Sequence, residues 1–247
     1  MKILAISDLH GRLEGVDPGD AELVLVAGDF ALLEGWGYID LCNQVHWVQH
    51  RFCTWCATHP DVKFRVIPGN HDLFAQHPDE RAKVRWPDNV RMLIDEEDEV
   101  GGLRLYGTPW IPHINGCWAF EEEAPGQLAE KFAAIPHGLD VLLVHSPPRI
   151  PHKKVDVSLA WNSPHFGSKD LANEIALKHP RFVFCGHIHT GDHAPIVLDH
   201  GDSKTTVFNV SRLNEDYKVA YEPLRLEINT DSARKTAWPK HGGFQES

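Results

Sequence analysis

The feature that most constrains the fold is a series of short apolar runs, five of which are followed at once by a polar motif. The runs predict β-strands, and helical periods alternate with them, which is the pattern of a layered α/β fold. The five polar groups are Asp8-Leu9-His10, Gly28-Asp29, Gly69-Asn70-His71-Asp72, His145 and Gly186-His187-Ile188-His189. Ligands bind at the carboxyl ends of strands in open α/β sheets. The pattern therefore predicts one site at five strand ends.

The apolar pattern also predicts the individual elements. Strands are expected at 2–7, 23–27, 63–67, 90–94, 103–106, 141–145, 182–185, 206–209 and 219–228, with Gly101-Gly102 turning a hairpin. One amphipathic helix is expected over 38–57, and a second carries Leu128, Phe132 and Ile135. A third begins at the N-cap Ser168 and ends at Pro180. We expect a single domain over residues 1–230 and a polar tail over 231–247.

Each polar motif taken alone has an ordinary explanation, because Gly, Asn and Asp are common in turns. Taken together, the motifs indicate a metal site instead. Oxygen and nitrogen donors at successive strand ends suit Mn, Fe, Zn or Ni, and 17 histidines is a high count for this length. No thiolate accompanies the motifs, which argues against a closed structural zinc site.

The five cysteines predict no disulfide framework, because they are odd in number and scattered. Cys53-Thr54-Trp55-Cys56 matches half of a redox or zinc motif, but it lies within a helical pattern and has no second pair. Buried reduced thiols are the favoured interpretation.

The charge of the chain limits its partners. Its 24 basic and 35 acidic residues give a formal net charge of -11 over 247 residues. Such a field repels polyanions, so nucleic acid and anionic membranes are disfavoured and a small substrate is expected. The sequence contains no apolar run of transmembrane length, and its apolar N-terminus is too short for a signal peptide. We therefore expect a cytoplasmic protein.

In this order, the motifs Asp-x-His, Gly-Asp, Gly-Asn-His-Asp, His and Gly-His-x-His over residues 8–189 resemble the calcineurin-like metallophosphoesterase superfamily. The resemblance implies a four-layer αββα sandwich with two mixed β-sheets. It also implies two divalent or mixed-valence metal ions, with Mn as the expected metal and Fe, Zn, Ni or Co as alternatives.

The resemblance also implies roles for individual residues. The first metal is expected on Asp8, His10, Asp29 and His189, and the second on Asp29, Asn70, His145 and His187. A carboxylate has two oxygens, so Asp29 is able to bridge two cations. His71 is the expected general acid or electrostatic partner of the leaving group, and Asp72 is expected to orient its imidazole.

A narrower resemblance rests on Gly107-Thr108-Pro109-Trp110, Gly116-Cys117-Trp118-Ala119-Phe120, Ile135-Pro136 and Val144-His145-Ser146-Pro147-Pro148. These segments are similar to the metallophosphoesterase-domain-containing branch related to class III cyclic-nucleotide phosphodiesterases. They imply hydrolysis of phosphodiesters, with cyclic nucleotides as a candidate substrate. The aromatic side chains of Trp110, Trp118, Trp161 and Phe166 either stack on a substrate or pack in the core and lid.

Two departures from the family pattern affect residues around the ligands. Gly28-Asp29-Phe30-Ala31-Leu32 lacks a further aspartate that commonly follows, and Ser146 follows His145 where Gly or Thr is frequent. Neither change removes a ligand. Three alternatives to a phosphodiesterase stay open: a phosphomonoesterase, a nuclease of the same superfamily and a non-catalytic interaction module on the same fold.

Overall fold

The central strands coincide with the apolar runs because both of their faces are buried. Along β1 (Lys2–Ile6), Ile3 and Ala5 enter one core while Leu4 and Ile6 enter another. The computed structural model describes residues 1–35, 37–150, 156–160 and 165–230. The predicted tail over 231–247 and Trp161 lie outside these residues.

The described residues form two mixed sheets. The remaining strands are β2 (Leu23–Ala27), β3 (Lys63–Ile67), β4 (Val90–Met92), β5 (Glu96–Val100), β6 (Leu103–Thr108), β7 (Val141–Val144), β8 (Phe182–Cys185), β9 (Ile196–Asp199), β10 (Lys204–Asn209) and β11 (Leu224–Glu227). The first sheet has the order β11-β1-β2-β3-β4 and the second β5-β6-β7-β8-β10-β9. In both sheets the central strands are parallel, and β11, β5 and β9 run antiparallel at the edges.

The three predicted helices are present, together with two short helices that the sequence analysis does not predict. Helix α1 (Tyr38–Trp47) continues through a π-helical segment (Val48–Phe52) into α2 (Cys53–Ala57), so the helix expected over 38–57 is confirmed with one local change of winding. The other helices are α3 (Leu73–Gln76), α4 (Pro78–Arg81), α5 (Gln127–Ala133) and α6 (Lys169–Lys178). Ser168 caps α6, because its hydroxyl accepts a hydrogen bond from the backbone N–H of Leu171 at 3.1 Å.

Three apolar cores separate four layers. One core lies between the two sheets and contains side chains such as Leu25 and Leu143. Phe52 and Phe74 pack from the first group of helices onto the outer face of the first sheet. Phe132 of α5 and helix α6 cover the outer face of the second sheet in the same way. The expected αββα sandwich with two mixed sheets is confirmed.

Strand β5 was missed because its sequence, Glu96-Glu97-Asp98-Glu99-Val100, has no apolar alternation. It is an edge strand that pairs with β6 through the predicted Gly101-Gly102 hairpin. Its acidic side chains form ion pairs with arginines on other strands, among them Arg91–Asp98 at 2.6 Å and Arg104–Glu97 at 3.1 Å. Charge and backbone pairing therefore place this strand. Within the part of the chain that is described, no helix combines the length and apolarity needed to cross a bilayer.

Candidate metal centre

The loops that leave the strands adopt unusual backbone conformations at the predicted ligands. Asp8, His10, Asp29 and His187 have φ values of 54°, 43°, 51° and 68°. Left-handed backbone is uncommon for residues other than glycine, and such strain collects at functional sites. Backbone hydrogen bonds tie the first two loops together, from Asp8 N to Gly28 O at 3.0 Å and from His10 N to Asp29 O at 2.8 Å. The strand ends are thus fixed in the conformations that bring these side chains together.

Two glycines allow the loops to approach each other. A Cβ atom on Gly69 would lie 2.7 Å from Cε1 of His145 and would also collide with the carboxylate of Asp29. A Cβ atom on Gly186 would collide with Ser7 and with the carboxylate of Asp8. Only glycine fits at these positions, so the Gly in each motif is a requirement of close packing.

The first group of candidate ligands contains Asp8, His10 and His189, whose donor atoms lie within 4.8 Å of one another. Nε2 of His189 is 3.5 Å from Oδ1 of Asp8 and 3.4 Å from Nε2 of His10. The backbone N–H of His187 donates to the carboxylate of Asp8 at 3.1 Å, which links the loops after β1 and β8.

The second group contains Asp29, His145 and His187, with Asn70 between the two imidazoles. Nε2 of His145 is 3.3 Å from Oδ2 of Asp29. Oδ1 of Asn70 is 3.0 Å from Nε2 of His145 and 2.8 Å from Nδ1 of His187. The amide and imidazole donors therefore converge on one point beside Asp29.

Asp29 lies between the two groups. Its Oδ2 atom is 3.3 Å from Nε2 of His145 and 3.8 Å from Nε2 of His10. Its Oδ1 atom accepts a hydrogen bond from the backbone N–H of His71 at 2.7 Å. The structure thus brings together all seven predicted ligands, with Asp29 as the residue common to both halves.

The histidine tautomers suit metal binding. Nδ1 of His145 is 2.8 Å from the carbonyl oxygen of Ala27, and Nδ1 of His189 is 3.0 Å from that of Asn214. A carbonyl oxygen only accepts, so each Nδ1 carries a hydrogen, and each Nε2 would ligate a metal once the metal displaces its proton. The two carbonyl partners were missed by the sequence analysis, because a backbone group leaves no signal in the identity of its residue.

Burial and charge set the protonation of the ligands. Burial lowers the pKa of His187 to about 3 and that of His10 to about 4, so both imidazoles are neutral donors at neutral pH. Burial also disfavours the charged forms of His145 and His189 and so lowers their pKa values. The carboxylates of Asp29 and Asp8 outweigh it and raise both pKa values to about 9. Two carboxylates, one amide oxygen and four imidazoles form a set of donors that fits two divalent cations.

His71 lies beside the ligands with its ring enclosed by aromatic neighbours. Its centroid is 4.6 Å from that of His10 and 4.3 Å from that of Trp118. His71 also forms a possible ligand group with His10 and Asp29, with donor atoms within 4.8 Å of one another. Its position thus allows either a role at the leaving group or direct metal binding.

The expected contact between Asp72 and the His71 ring is not formed. The Asp72 carboxylate accepts instead from the backbone N–H groups of Gly69 at 2.7 Å, Ala31 at 2.8 Å and Phe30 at 3.4 Å. The turn directs this side chain into the base of the site, and the backbone amides use both of its oxygens. The prediction that Asp72 orients the imidazole is therefore wrong, and Asp72 braces the loops after β2 and β3.

Gln44 was missed by the sequence analysis, although it supports the His71 loop. From α1, its buried side chain donates to the carbonyl oxygen of His71 at 2.7 Å and accepts from the backbone N–H of Phe74 at 3.0 Å. A single Gln in an amphipathic helix gives no sequence signal for this role.

Glu121 is a second missed residue, and it organises a loop beside the ligands. Its buried Oε1 atom accepts from the backbone N–H groups of Ile114, Asn115 at 2.6 Å and Gly116 at 2.8 Å. Its Oε2 atom accepts from Trp118 N at 3.2 Å. Burial alone would raise the pKa of the Glu121 carboxyl, but the backbone N–H groups outweigh it and lower the pKa. One carboxylate thus fixes the loop that carries Trp118 to His71.

Two cavities reach the ligand set at different residues. One has a volume of about 480 Å³ and is lined by His10, His71, Trp118, Tyr217 and Arg12, among others. The other has a volume of about 230 Å³ and touches His187, Ile114 and Phe166. Trp118 and Phe166 therefore lie at the site.

Trp110 has a structural role instead. Its Nε1–H donates to the carboxylate of Asp95 at 2.9 Å, and the ammonium group of Lys131 lies 4.2 Å from its ring centroid. The packing alternative that the sequence left open therefore fits this tryptophan.

Comparison with known proteins identifies the family. A model of the calcineurin-like phosphoesterase family matches residues 1–191, so the chain belongs to this family of metal-dependent phosphoric ester hydrolases. Human metallophosphoesterase domain-containing protein 1 is 28% identical over 257 residues, which cover 93% of this chain and 71% of the relative. UPF0046 protein T07D4.2 of Caenorhabditis elegans is also 28% identical, over 92% of this chain and 60% of the relative. The resemblance to the superfamily and to this branch is confirmed.

The fold is also found in solved structures. One crystal structure aligns with a TM-score of 0.56 at 17% identity, covering 84% of this chain and 89% of its own. At this level of identity the likeness concerns the fold alone.

Glu121→Gln should loosen the loop without affecting the metals. Gln lacks the charge and one of the two acceptor oxygens, and hydrogen bonds to charged groups contribute about 1.5–3 kcal/mol. We expect the free energy of unfolding to fall by about 2 kcal/mol, with a shift in tryptophan fluorescence and wild-type metal content. Chemical denaturation and elemental analysis measure these quantities.

Glu123→Gln is the matched control, because it removes the same charge from an exposed position two residues away. Equal stability of the two variants would contradict the role assigned to Glu121.

Proposed function

We propose that the protein hydrolyses phosphodiester bonds of small substrates at a binuclear metal centre, with a metal-activated water as the nucleophile. The observation that supports diesters is the pair of cavities that reach the ligand set at His71 and at His187. A diester carries two ester arms and needs space for both, whereas a monoester needs space for one. Cyclic nucleotides are the candidate substrates that the class III resemblance adds.

The ligand assignment follows the two groups of donors. We assign Asp8, His10, Asp29 and His189 to the first metal, and Asp29, Asn70, His145 and His187 to the second. When bound, two such ions lower the pKa of a water molecule and stabilise negative charge on the phosphoryl oxygens. Manganese is the proposed metal, and Fe, Zn, Ni and Co are the alternatives to be compared.

His71 is the proposed partner of the leaving group. Its ring lines the larger cavity and is fixed between His10 and Trp118. Burial lowers the pKa of His71, so the free protein holds a neutral imidazole. To act as general acid, the ring would take up a proton when the anionic substrate binds, pass it to the leaving oxygen and return to the neutral form. Gln44 and the backbone bond to Asp29 keep the loop that carries this ring in place.

A small substrate in an aqueous compartment fits the charge of the chain. The formal net charge of -11 disfavours long polyanions such as nucleic acid, while the metals would make the site itself cationic. The cytoplasmic location stays a prediction.

Diesters should be preferred to monoesters. We expect kcat/KM for bis-nitrophenyl phosphate to exceed that for nitrophenyl phosphate with each active metal. Steady-state assays with both esters and with 2′,3′- and 3′,5′-cyclic nucleotides, in the presence of Mn, Fe, Zn, Ni or Co, measure this preference. A higher value for the monoester would replace the proposal by a phosphomonoesterase.

Asp29→Asn should remove both metals together, because Asp29 is the ligand shared by the two groups. Asn tolerates the left-handed backbone at this position, so the loop is retained while one oxygen and the charge are lost. Elemental analysis should show less than half of the wild-type content of each metal, with no detectable turnover. The exposed Asp61→Asn is the matched control. Wild-type occupancy of one metal per chain in Asp29→Asn would contradict the bridging assignment.

His71→Ala should separate chemistry from metal binding. We expect both metals to stay bound while kcat/KM falls about 10²–10⁴-fold for alkyl or nucleoside leaving groups, the usual contribution of general acid catalysis. Nitrophenyl esters should lose less, because their leaving groups need little protonation. Kinetics across leaving groups of graded pKa measure the trend.

The control for His71→Ala is His46→Ala, a change of an exposed histidine on α1. Loss of metal from His71→Ala alone would make His71 a ligand. An equal rate loss for every leaving group would favour a positioning role over proton donation.

A further inference from the structure

The smaller cavity beside the ligands has an apolar lining. Ile114, Ala160, Phe166, Ile188 and Pro112 supply its apolar wall, and the metal ligand His187 lies at one side. Among the described residues that line it, none is a lysine or an arginine, its polar residues are the imidazoles of His113 and His187, and Glu215 contributes a negative charge. This composition favours an uncharged apolar group and disfavours a second phosphate.

The cavity also exposes large apolar side chains to solvent. Ile114 and Phe166 are each 48% exposed, although most large apolar side chains of the described residues are buried. Exposed apolar groups that gather at a cavity mark binding sites more often than isolated ones do. Because both side chains border the cavity that reaches His187, a bound apolar group would cover them.

Hydrogen bonds fix the loop that forms one wall of this cavity before any ligand binds. The Ile114 N–H donates to the buried Glu121 carboxylate, which also accepts from Asn115 and Gly116. On the other side of the same loop, the backbone N–H of Ala119 donates to the carbonyl oxygen of Asn70 at 3.1 Å. A preformed wall reduces the entropy lost when a ligand binds.

The larger cavity differs in character. It is lined by His71, the exposed Arg12 and Glu34 as well as by leucine and aromatic residues, so it is the more polar side of the site. The proposed leaving-group partner, His71, lies in this cavity, which therefore receives the departing alcohol. The arm that stays on phosphorus is left with the smaller cavity beside His187.

We propose that the smaller cavity binds the ester arm that remains on phosphorus after hydrolysis, and that this arm is an uncharged alkyl or aryl group. The substrates are then mixed phosphodiesters with one polar and one apolar arm. This inference rests on the proposed phosphodiesterase function and adds the identity of the second arm.

A series of diesters with one constant leaving group tests the proposal. In 4-nitrophenyl methyl, butyl, hexyl and phenyl phosphates, nitrophenol departs and the other arm varies. Complete burial of a methylene favours binding by about fourfold, and partial burial by less. We expect kcat/KM of the metal-loaded wild type to rise about two- to fourfold per methylene until the cavity is filled.

Ile114→Ser should flatten this dependence on arm length, because it removes the apolar wall and keeps the backbone bonds to Glu121. Phe166→Ala should weaken it as well, because Phe166 also lines this cavity. Leu177→Ser is the matched control, since Leu177 is 63% exposed on α6 and should leave the slope at its wild-type value. Wild-type rates that do not change with arm length, or equal slopes in Ile114→Ser and Leu177→Ser, would overturn the proposal.

A binding experiment separates this inference from the proposed function. Calorimetry with the metal-loaded protein and methyl-, butyl- and hexylphosphonate reports the cavity without any turnover. If no diester is hydrolysed but affinity increases with chain length and Ile114→Ser abolishes the increase, the phosphodiesterase proposal fails and the apolar subsite stands. If diesters are hydrolysed but phosphonate affinity is independent of chain length, the subsite assignment fails alone.

Discussion

Oδ2 of Asp29 lies 3.3 Å from Nε2 of His145 and 3.8 Å from Nε2 of His10, so one carboxylate contacts both halves of the ligand set. Its other oxygen accepts the backbone N–H of His71, which places the third polar loop as well. Asp29 is thus fixed by the fold and also fixes the loops around it. The left-handed backbone at Asp29, with φ of 51°, is the conformation that permits both sets of contacts.

The packing of the two sheets determines the geometry at Asp29. Asp8, Asp29 and Asn70 follow strands of the first sheet, whereas His145 and His187 follow strands of the second. The apolar core between the sheets sets the distance between these two sets of side chains. The hydrogen bond from His145 to the carbonyl oxygen of Ala27 joins the two sheets directly. A change in packing between the sheets would therefore move one half of the ligands relative to the other. If these residues hold the metals as proposed, metal affinity and the stability of the inter-sheet core would be coupled for this reason.

The sequence predicts those parts of the molecule in which the structural position of a residue restricts the amino acid found there. Buried central strands are readable because both faces demand apolar side chains, and the ligands are readable because their chemistry is specific. Edge strand β5 is not readable from the sequence, because ion pairs and a hairpin turn hold it in the sheet instead of alternating apolar side chains. The contributions of Gln44 and the Asn214 carbonyl also escape prediction, because each depends on a contact between segments far apart in sequence. Glu121 escapes it because its partners are backbone N–H groups of the adjacent loop, which leave no signal in residue type. The error at Asp72 is of the opposite kind. The motif Gly69-Asn70-His71-Asp72 is recognised correctly, but the partner predicted for the Asp72 carboxylate, the His71 ring, is wrong.

The distribution of charge explains how an acidic chain could select an anionic ester. Asp8 and Asp29 contribute two negative charges to the ligand set, and two divalent cations would leave a formal charge of +2 before any hydroxide binds. Glu215 and Glu34, by contrast, place negative charge in the cavities on either side. Under the proposed function, attraction would then be confined to the phosphoryl group, while additional anionic groups on the arms would meet repulsion, except near Arg12. Such an arrangement would discriminate between substrates by the charge of their ester arms, because the phosphoryl group itself is common to all of them.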